Sequence, residues 1–290
     1  MKLLVRHQTI YRYEAAAGRV AMRLKLMPTD TPSQKVLEWR VSVNGEVVDT
    51  FRPNSFGEME AIWIRHDRLD NAVIVAEGVV ETRETHGVLG WTKSSVNPDY
   101  FLRGTPLTRA SDAIRDMALS LPKGDGPLSR LHALSAAVSD AVAYRGGVTT
   151  SRTTAAEAFA LGAGVCQDHA QIFIAAARAM GVPARYVTGY LLAEGGDALH
   201  ETHAWVEALT PDLGWIGFDP SNKLCVTEHY LRLASGPDAY AAAPIRGSVA
   251  VAGDIWIDAD VRIAQAEEGV EEGQLQRQQQ QSAQPTIPQG

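Results

Sequence analysis

The segment Leu161-Gly162-Ala163-Gly164-Val165-Cys166-Gln167-Asp168-His169 sets a cysteine between a glycine-bearing turn and a run with helical patterning. A free cysteine taken alone is ordinarily a small buried hydrophobe. At a helix start it has a second reading. The first helical turn carries roughly +0.5 charge and unpaired backbone N–H groups. Together these favour a thiolate and can hold an oxyanion, with the N–H of Cys166 among the donors. Gly162 and Gly164 are expected to leave room for a scissile carbonyl to approach.

A thiolate nucleophile needs a base, and the base needs an orienter. His203-Ala204-Trp205-Val206-Glu207 and Trp215-Ile216-Gly217-Phe218-Asp219-Pro220 read as strands, and Thr210-Pro211-Asp212-Leu213-Gly214 reads as the turn between them. A hairpin centred on Pro211 puts Asp219 opposite His203, Gly217 opposite Trp205 and Trp215 opposite Glu207. Opposed residues share a face, with Cβ atoms about 4.5–5.5 Å apart. Asp219 would then receive one imidazole N–H and leave the other nitrogen for Cys166. Gly217 would make room for the Trp205 indole. A one-residue bulge would send the two side chains to opposite faces. Taken singly, a strand histidine and an aspartate before Pro220 are ordinary; Cys166 gives them a joint purpose.

The neighbouring polar residues have plainer readings. His169 lies three positions after Cys166 on the same helical face, and a neutral structural role is expected rather than that of a competing base. Asp168 is expected to cap the helix start electrostatically rather than contact a substrate amine. Cys225 is expected to be structural. His200-Glu201-Thr202-His203 lacks the second histidine at i+4, where Ala204 stands, so no zinc is expected. No cofactor or metal is expected at all. No Cys-x-x-Cys motif supports a disulfide oxidoreductase.

The positioning elements follow from hydrophobic periodicity. Residues 1 to about 85 alternate with period two: Val20, Met22, Leu24 and Leu26; Leu37, Trp39, Val41 and Val43; Val73, Val75, Glu77 and Val79. Each set predicts one buried face, and short strands at this spacing predict a β-sandwich-like domain. The stretch 87–106, with Gly87, Gly90, Pro98, Gly104 and Pro106, reads as a connector. Leu128, Leu131, Leu134, Ser135, Val138 and Val142 form a helical stripe. Thr154 and Glu157 have capping-box spacing, with Gly162 as the stop. A helix from Cys166 carries Ala170, Phe173, Ile174 and Ala177 on one side and ends before Gly181 and Pro183. Strands are expected at 184–192, 203–209 and 215–218, and β-like patterning returns at 247–263. The expected organisation is an N-terminal β domain (1–86), the connector (87–106), an α+β core (107–263) and a Gln-rich solvated tail (264–290).

The chain has 290 residues, 45% of them hydrophobic, enough for a sizeable core. Its formal charge of −7 is not gathered against any basic stripe, so neither nucleic acid nor an anionic membrane is an expected partner. No apolar run approaches the ~18 residues that cross a bilayer. The start, MKLLVRHQTIYRY, lacks a signal-peptide centre, so a cytoplasmic location is expected. Two cysteines make no disulfide framework.

The strings GAGVCQDHAQIF (163–174), GVPARYVTGYL (181–191), THAWVEA (202–208) and GWIGFDPSN (214–222) resemble the bacterial transglutaminase-like superfamily, whose members are often described as cysteine proteases. They run nearly continuously from 162 to 222 in the family's order Cys, His, Asp. The first 85 or so residues and GPDAYAAAPIRG (236–247) resemble the family's other parts more weakly. The resemblance implies a papain-like α+β core, with the cysteine helix packed on an antiparallel sheet, and it puts Cys166, His203 and Asp219 at the catalytic positions. It implies thiol chemistry on a peptide or protein amide. Hydrolysis is preferred, with amine transfer (crosslinking) as the alternative and a non-catalytic binding module as the rival of another class. The chain departs from the family pattern at His169, usually aromatic, and at Gln171, often histidine. It has no tryptophan between Trp91 and Cys166 to assist the oxyanion, as the animal enzymes have. The second oxyanion donor is left unassigned, with Tyr144 as a candidate.

Overall fold

The computed structural model describes residues 1–91, 94–122, 124, 126–192 and 202–266. The first seven strands are β1 (Lys2–Ala17), β2 (Arg19–Met27), β3 (Gln34–Val43), β4 (Glu46–Val47), β5 (Arg52–Pro53), β6 (Met59–Arg65) and β7 (Leu69–Thr82). They divide between two sheets that face one another. Leu3, Val5, Val41, Val43, Ile74 and Val80 of one pack on Val20, Met22, Leu24, Ala61 and Trp63 of the other. This is the β-sandwich-like unit that the alternation predicts.

Two details of that alternation come out differently. In β7 the buried residues up to Glu77 are Ala72, Ile74 and Ala76, while Val73, Val75 and Glu77 are only partly buried; beyond it Val79 is buried as expected, together with Val80. Both faces of this strand are apolar enough to satisfy a period of two, so the pattern could not say which face is inner. In β3 the register against β7 shifts between Val36 and Glu38. Leu37 is the extra residue of this bulge and is 45% exposed, whereas Val41 and Val43 beyond it point inward as expected.

The core begins in the stretch read as a connector, which supplies strand β8 (Val88–Gly90) and a 3₁₀ turn at Pro98–Leu102. Then follow α1 (Asp112–Ser120), α2 (Pro127–Ala141), β9 (Ala143–Tyr144), α3 (Ala155–Leu161), β10 (Ala163–Gly164) and α4 (Cys166–Ala179). Next come β11 (Ala184–Leu191), β12 (His203–Thr210), β13 (Gly214–Asp219), β14 (Leu224–Cys225), β15 (Tyr230–Gly236) and the short α5 (Ala239–Ala242). The antiparallel sheet runs β14-β13-β12-β11-β15, with β8 paired to β13. Helix α4 lies on one face of it, against Tyr186, Ala204, Val206, Ala208, Ile216 and Phe218, and α1, α2 and α3 pack around α4. Its side chains are buried on every side from Asp168 to Arg178. Ala170, Ala175, Ala176 and Ala177 let those neighbours come close.

The other sheet face meets the sandwich through a buried ionic network. Glu207 accepts from Arg185 Nε at 2.6 Å and from Arg232 Nε at 2.8 Å, and Arg232 Nη2 also reaches Glu58 at 3.2 Å. Glu58 further pairs with Lys25 at 3.3 Å and accepts from the Ser235 hydroxyl and N–H. The Arg185 guanidinium lies 4.1 Å from the Trp215 ring centroid.

The chain then returns to the sandwich. Strand β16 (Ile245–Ala250) pairs with β2, and β17 (Ile255–Gln265) pairs with β1 along eleven registered residues. Residues read from sequence as the end of the core thus complete the N-terminal sheets. Most of the Gln-rich tail (267–290) lies outside the described residues. Among the described residues, no helix is long and apolar enough to cross a membrane.

Candidate active site

Thr154 and Glu157 cap α3 reciprocally, and Gly162 ends it with φ of 66°. Two residues of β10 then pair parallel with β9, tied by Ala143 N–H to Gly162 O (2.9 Å) and Arg145 N–H to Gly164 O (2.8 Å). The chain enters α4 at Cys166 through an extended Val165. Asp168 reaches back, and its Oδ2 accepts from the Val165 N–H at 2.8 Å and from Thr149 Oγ1 at 2.7 Å. This is the capping role expected for Asp168. A Cβ on Gly164 would stand 2.6 Å from that carboxylate. Both glycines therefore answer to internal geometry, helix termination and Asp168, rather than to room for a carbonyl. The side chain of Cys166 is half-buried at the positive end of α4.

His203 opens β12 and Asp219 closes β13. The hairpin is centred on Asp212, one residue past the centre expected. Thr210 pairs with Gly214, so that the loop is 211–213, and Gly214 takes the left-handed φ of 74° that such a loop needs. Glu207, not Trp205, opposes Gly217, and Leu209, not Glu207, opposes Trp215. The room at Gly217 belongs to Val226, 2.3 Å from where its Cβ would stand, while Trp205 Cη2 fills the space over Gly189. Moving the centre by one residue changes every pairing by two, and two preserves the face. His203 and Asp219 are diagonal rather than opposed, and His203 Nε2 still meets Asp219 Oδ2 at 2.6 Å.

Asp219 is saturated with donors. Besides His203, its Oδ2 accepts from Asn222 Nδ2 (2.7 Å) and the Tyr230 hydroxyl (2.8 Å). Its Oδ1 accepts from the Ser221 N–H (3.0 Å), the Ser221 hydroxyl (2.6 Å) and the Asn222 N–H (3.2 Å). Burial alone would raise its pKa; the donors from His203, Ser221 and Asn222 outweigh burial and hold the carboxyl far below the usual range. For His203, burial works against the charged form. Its hydrogen bonds to Asp219 and Cys166, and their charges, prevail and lift it to about 9. Nε2 is committed to Asp219, so Nδ1 is the nitrogen left for the Cys166 thiol. The ring is held flat, 6.3 Å from Trp205 at 26°, with Tyr230 at 5.9 Å.

The three residues singled out from the sequence thus converge at one place. Ser221, Asn222 and Tyr230 join them without having stood out in the sequence. An aspartate accepting from N–H groups two and three residues on is a local turn signal that was legible. Tyr230 arrives from β15, beyond β11, and only the folded sheet brings it. Tyr144 lies in β9 beside the helix start, 63% exposed. Among the described residues no group of three or more His, Cys, Asp or Glu side chains is arranged to hold a metal ion; His200 and Glu201 lie outside those residues. Cys225 is half-buried on β14, its thiol pushed up by burial. A thiol at a helix N-terminus, with an imidazole aligned by a fixed carboxylate, is suited to proton transfer and attack on a carbonyl carbon.

The description "Transglutaminase-like superfamily" fits residues 116–220, and "Bacterial transglutaminase-like N-terminal region" fits 3–81. An uncharacterized protein of Mycobacterium leprae is 26% identical over 90% of this chain and 98% of its own. One of Mycobacterium tuberculosis is 28% identical over 84% and 86%. In fold, the chain is similar to a crystal structure described as a "putative cysteine protease" from Cytophaga hutchinsonii, with TM-score 0.72, 22% identity and coverage of 93% and 92%. With the core matched over 116–220 and its N-terminal companion over 3–81, which together span more than half of the chain, the chain belongs to the transglutaminase-like superfamily.

Proposed function

We propose that the protein hydrolyses an amide, in a peptide or protein, through a thioester on Cys166. The observation that carries this reading is the 2.6 Å His203–Asp219 contact, with the Cys166 thiol interacting with the same imidazole. His203 Nδ1 takes the thiol proton, and the thiolate attacks the carbonyl carbon. The N–H of Cys166 and its neighbours at the start of α4 hold the oxyanion. The imidazolium gives its proton to the leaving amine, the C–N bond breaks, and an acyl thioester remains. Water then attacks the thioester while His203 takes one of its protons. The C–S bond breaks, the proton returns to sulfur, and the acid leaves. A lysine amine in place of water would give crosslinking. Water is favoured because the sequence marks no dedicated amine tunnel.

The test is thiol-selective alkylation of the full chain across pH, read by intact mass, followed by peptide screening. Cys166 is expected to react at acidic pH far faster than Cys225, whose thiol is pushed up, and Cys166→Ala is expected to abolish turnover. Alkylation of Cys166 at the rate of an ordinary thiol near pH 6 would refute the reading. Cellular function surviving Cys166→Ala would favour the binding-module rival instead.

A further inference from the structure

His169 makes contacts that a neutral imidazole cannot satisfy. The residue is 2% exposed. Its Nδ1 lies 2.9 Å from the carbonyl oxygen of Val165, and its Nε2 lies 2.9 Å from that of Val142. A carbonyl oxygen only accepts. A neutral imidazole has one N–H, and its second nitrogen carries a lone pair. In either neutral tautomer one contact would set lone pair against lone pair at hydrogen-bonding distance. The imidazolium donates both.

The surroundings suit a cation. Two carbonyl dipoles point their negative ends at the ring. The Tyr144 ring is stacked on it, with centroids 6.1 Å apart and planes at 29°, offering its electron-rich face. Asp168, the preceding residue, is fully buried, and its Oδ1 has no hydrogen-bond donor. Cys166 and Asp168 share the first turn of α4 with it, Tyr144 of β9 stacks on it, and Tyr186 of β11 interacts electrostatically with Cys166 and Asp168. Arg145, next along β9, is exposed. Helix α2 meets the ring through a backbone carbonyl at its end.

The two carbonyls come from different elements. Val142 is the C-cap of α2 and Val165 the N-cap of α4. We propose that His169 is a buried imidazolium that clamps the first turn of α4 to the α2–β9 junction. In this role it is a positioning residue for Cys166 and, three positions along the same helical face, a second positive charge favouring the thiolate. The structural role expected from sequence is kept, with a charge added to it. The action on Cys166 rests on the proposed thiol chemistry; the protonation of His169 does not. The aromatic that the family resemblance puts at this position would keep the stack on Tyr144 and lose both hydrogen bonds.

The test is long-range ¹H–¹⁵N spectroscopy of the full chain with labelled histidine, at pH about 7.5, where an unrestrained imidazole is mostly neutral. His169 is assigned by the signal missing from His169→Phe, or from His169→Gln if the first variant does not fold. Protons on both His169 ring nitrogens are expected, and a single-proton tautomer would overturn the clamp. The same variants are then alkylated. Wild type is expected to outpace the variant about tenfold near pH 6, where the thiolate fraction limits, and to match it near pH 9. A ratio that is the same at both pH values would overturn the electrostatic action on Cys166. The spectroscopic result stands whether or not Cys166 is nucleophilic, so the two readings fail separately.

Discussion

One face of β12 carries two ionic sites that differ in what they leave unfinished. Towards its end, Glu207 sits in a network with Arg185 and Arg232, and through Glu58 with Lys25, all nearly inaccessible. Both Glu207 oxygens are taken, and the carboxyl is held below its usual range: burial opposes this, but the two guanidinium groups overcome it. At its start, Asp219 is likewise saturated, yet His203 is not. One ring nitrogen is bound to Asp219, and the ring also interacts with the half-buried Cys166 thiol. Four positions before Glu207 the same strand therefore changes from holding two layers together to presenting a reactive edge. A closed network has nothing to give to a substrate. An arrangement closed on all sides but one has a direction in which to react.

Neutralising Asp219 should have the largest effect. Asp219→Asn should lower turnover about 10³–10⁴-fold while leaving the fold intact, because the imidazole loses both its alignment and its counter-charge. It should also bring the His203 titration down from about 9 towards its ordinary value; histidine NMR against pH reads this directly. The linkage has a definite sign. The raised His203 stabilises the native state below about pH 6.5, and that contribution is lost as pH rises through about 9. Depressed Asp219 contributes above about pH 4 and loses its effect on acidification. The wild type's stability advantage over Asp219→Asn should shrink at both extremes, and urea melts across pH would show it.

Glu207→Ala should do the reverse: leave the chemistry groups untouched and destabilise the chain by about 3–5 kcal/mol, since two guanidinium groups would be buried without their carboxylate. Chemical denaturation measures that cost. A variant as stable as wild type would show that the network is not what joins the layers. The smallest effect is expected for Tyr230→Phe, which removes one of several donors to Asp219. About 1–3 kcal/mol of stability and a modest fall in turnover should follow, with the His203 titration moving upward because Asp219 keeps a fuller charge for it.

How much of this was legible in the sequence depends on which property was periodic. The pairing of His203 with Asp219 survived a misplaced turn centre, because parity is all that a strand pattern fixes and an error of two keeps parity. The inner face of β7 was misread for the complementary reason: alanine and valine alternate there, and hydrophobicity alone does not rank them. Leu37 was misread because a bulge changes parity without leaving any mark in composition. The start of α4 was legible, since glycine, cap and apolar stripe agree. Tyr230 and the Glu58–Arg232 contact were not, because one reaches Asp219 from a strand that is no sequence neighbour in its sheet and the other joins two layers, which no local pattern connects. The reach of 245–265 back to the first sheets was hidden for the same reason.

That last pairing bears on how the chain is made. β17 covers the edge of β1, and β16 covers the edge of β2, so Leu3 waits for Gln265 and Leu24 waits for Ile245. During synthesis from the N-terminus the sandwich stands with two open, hydrogen-bond-hungry edges while the whole core is being translated. Open edges of this kind invite pairing with other chains. Contacts across such a sequence separation form late. The order of translation therefore makes the thiol-bearing core the first unit able to finish folding, and the sandwich the last to close.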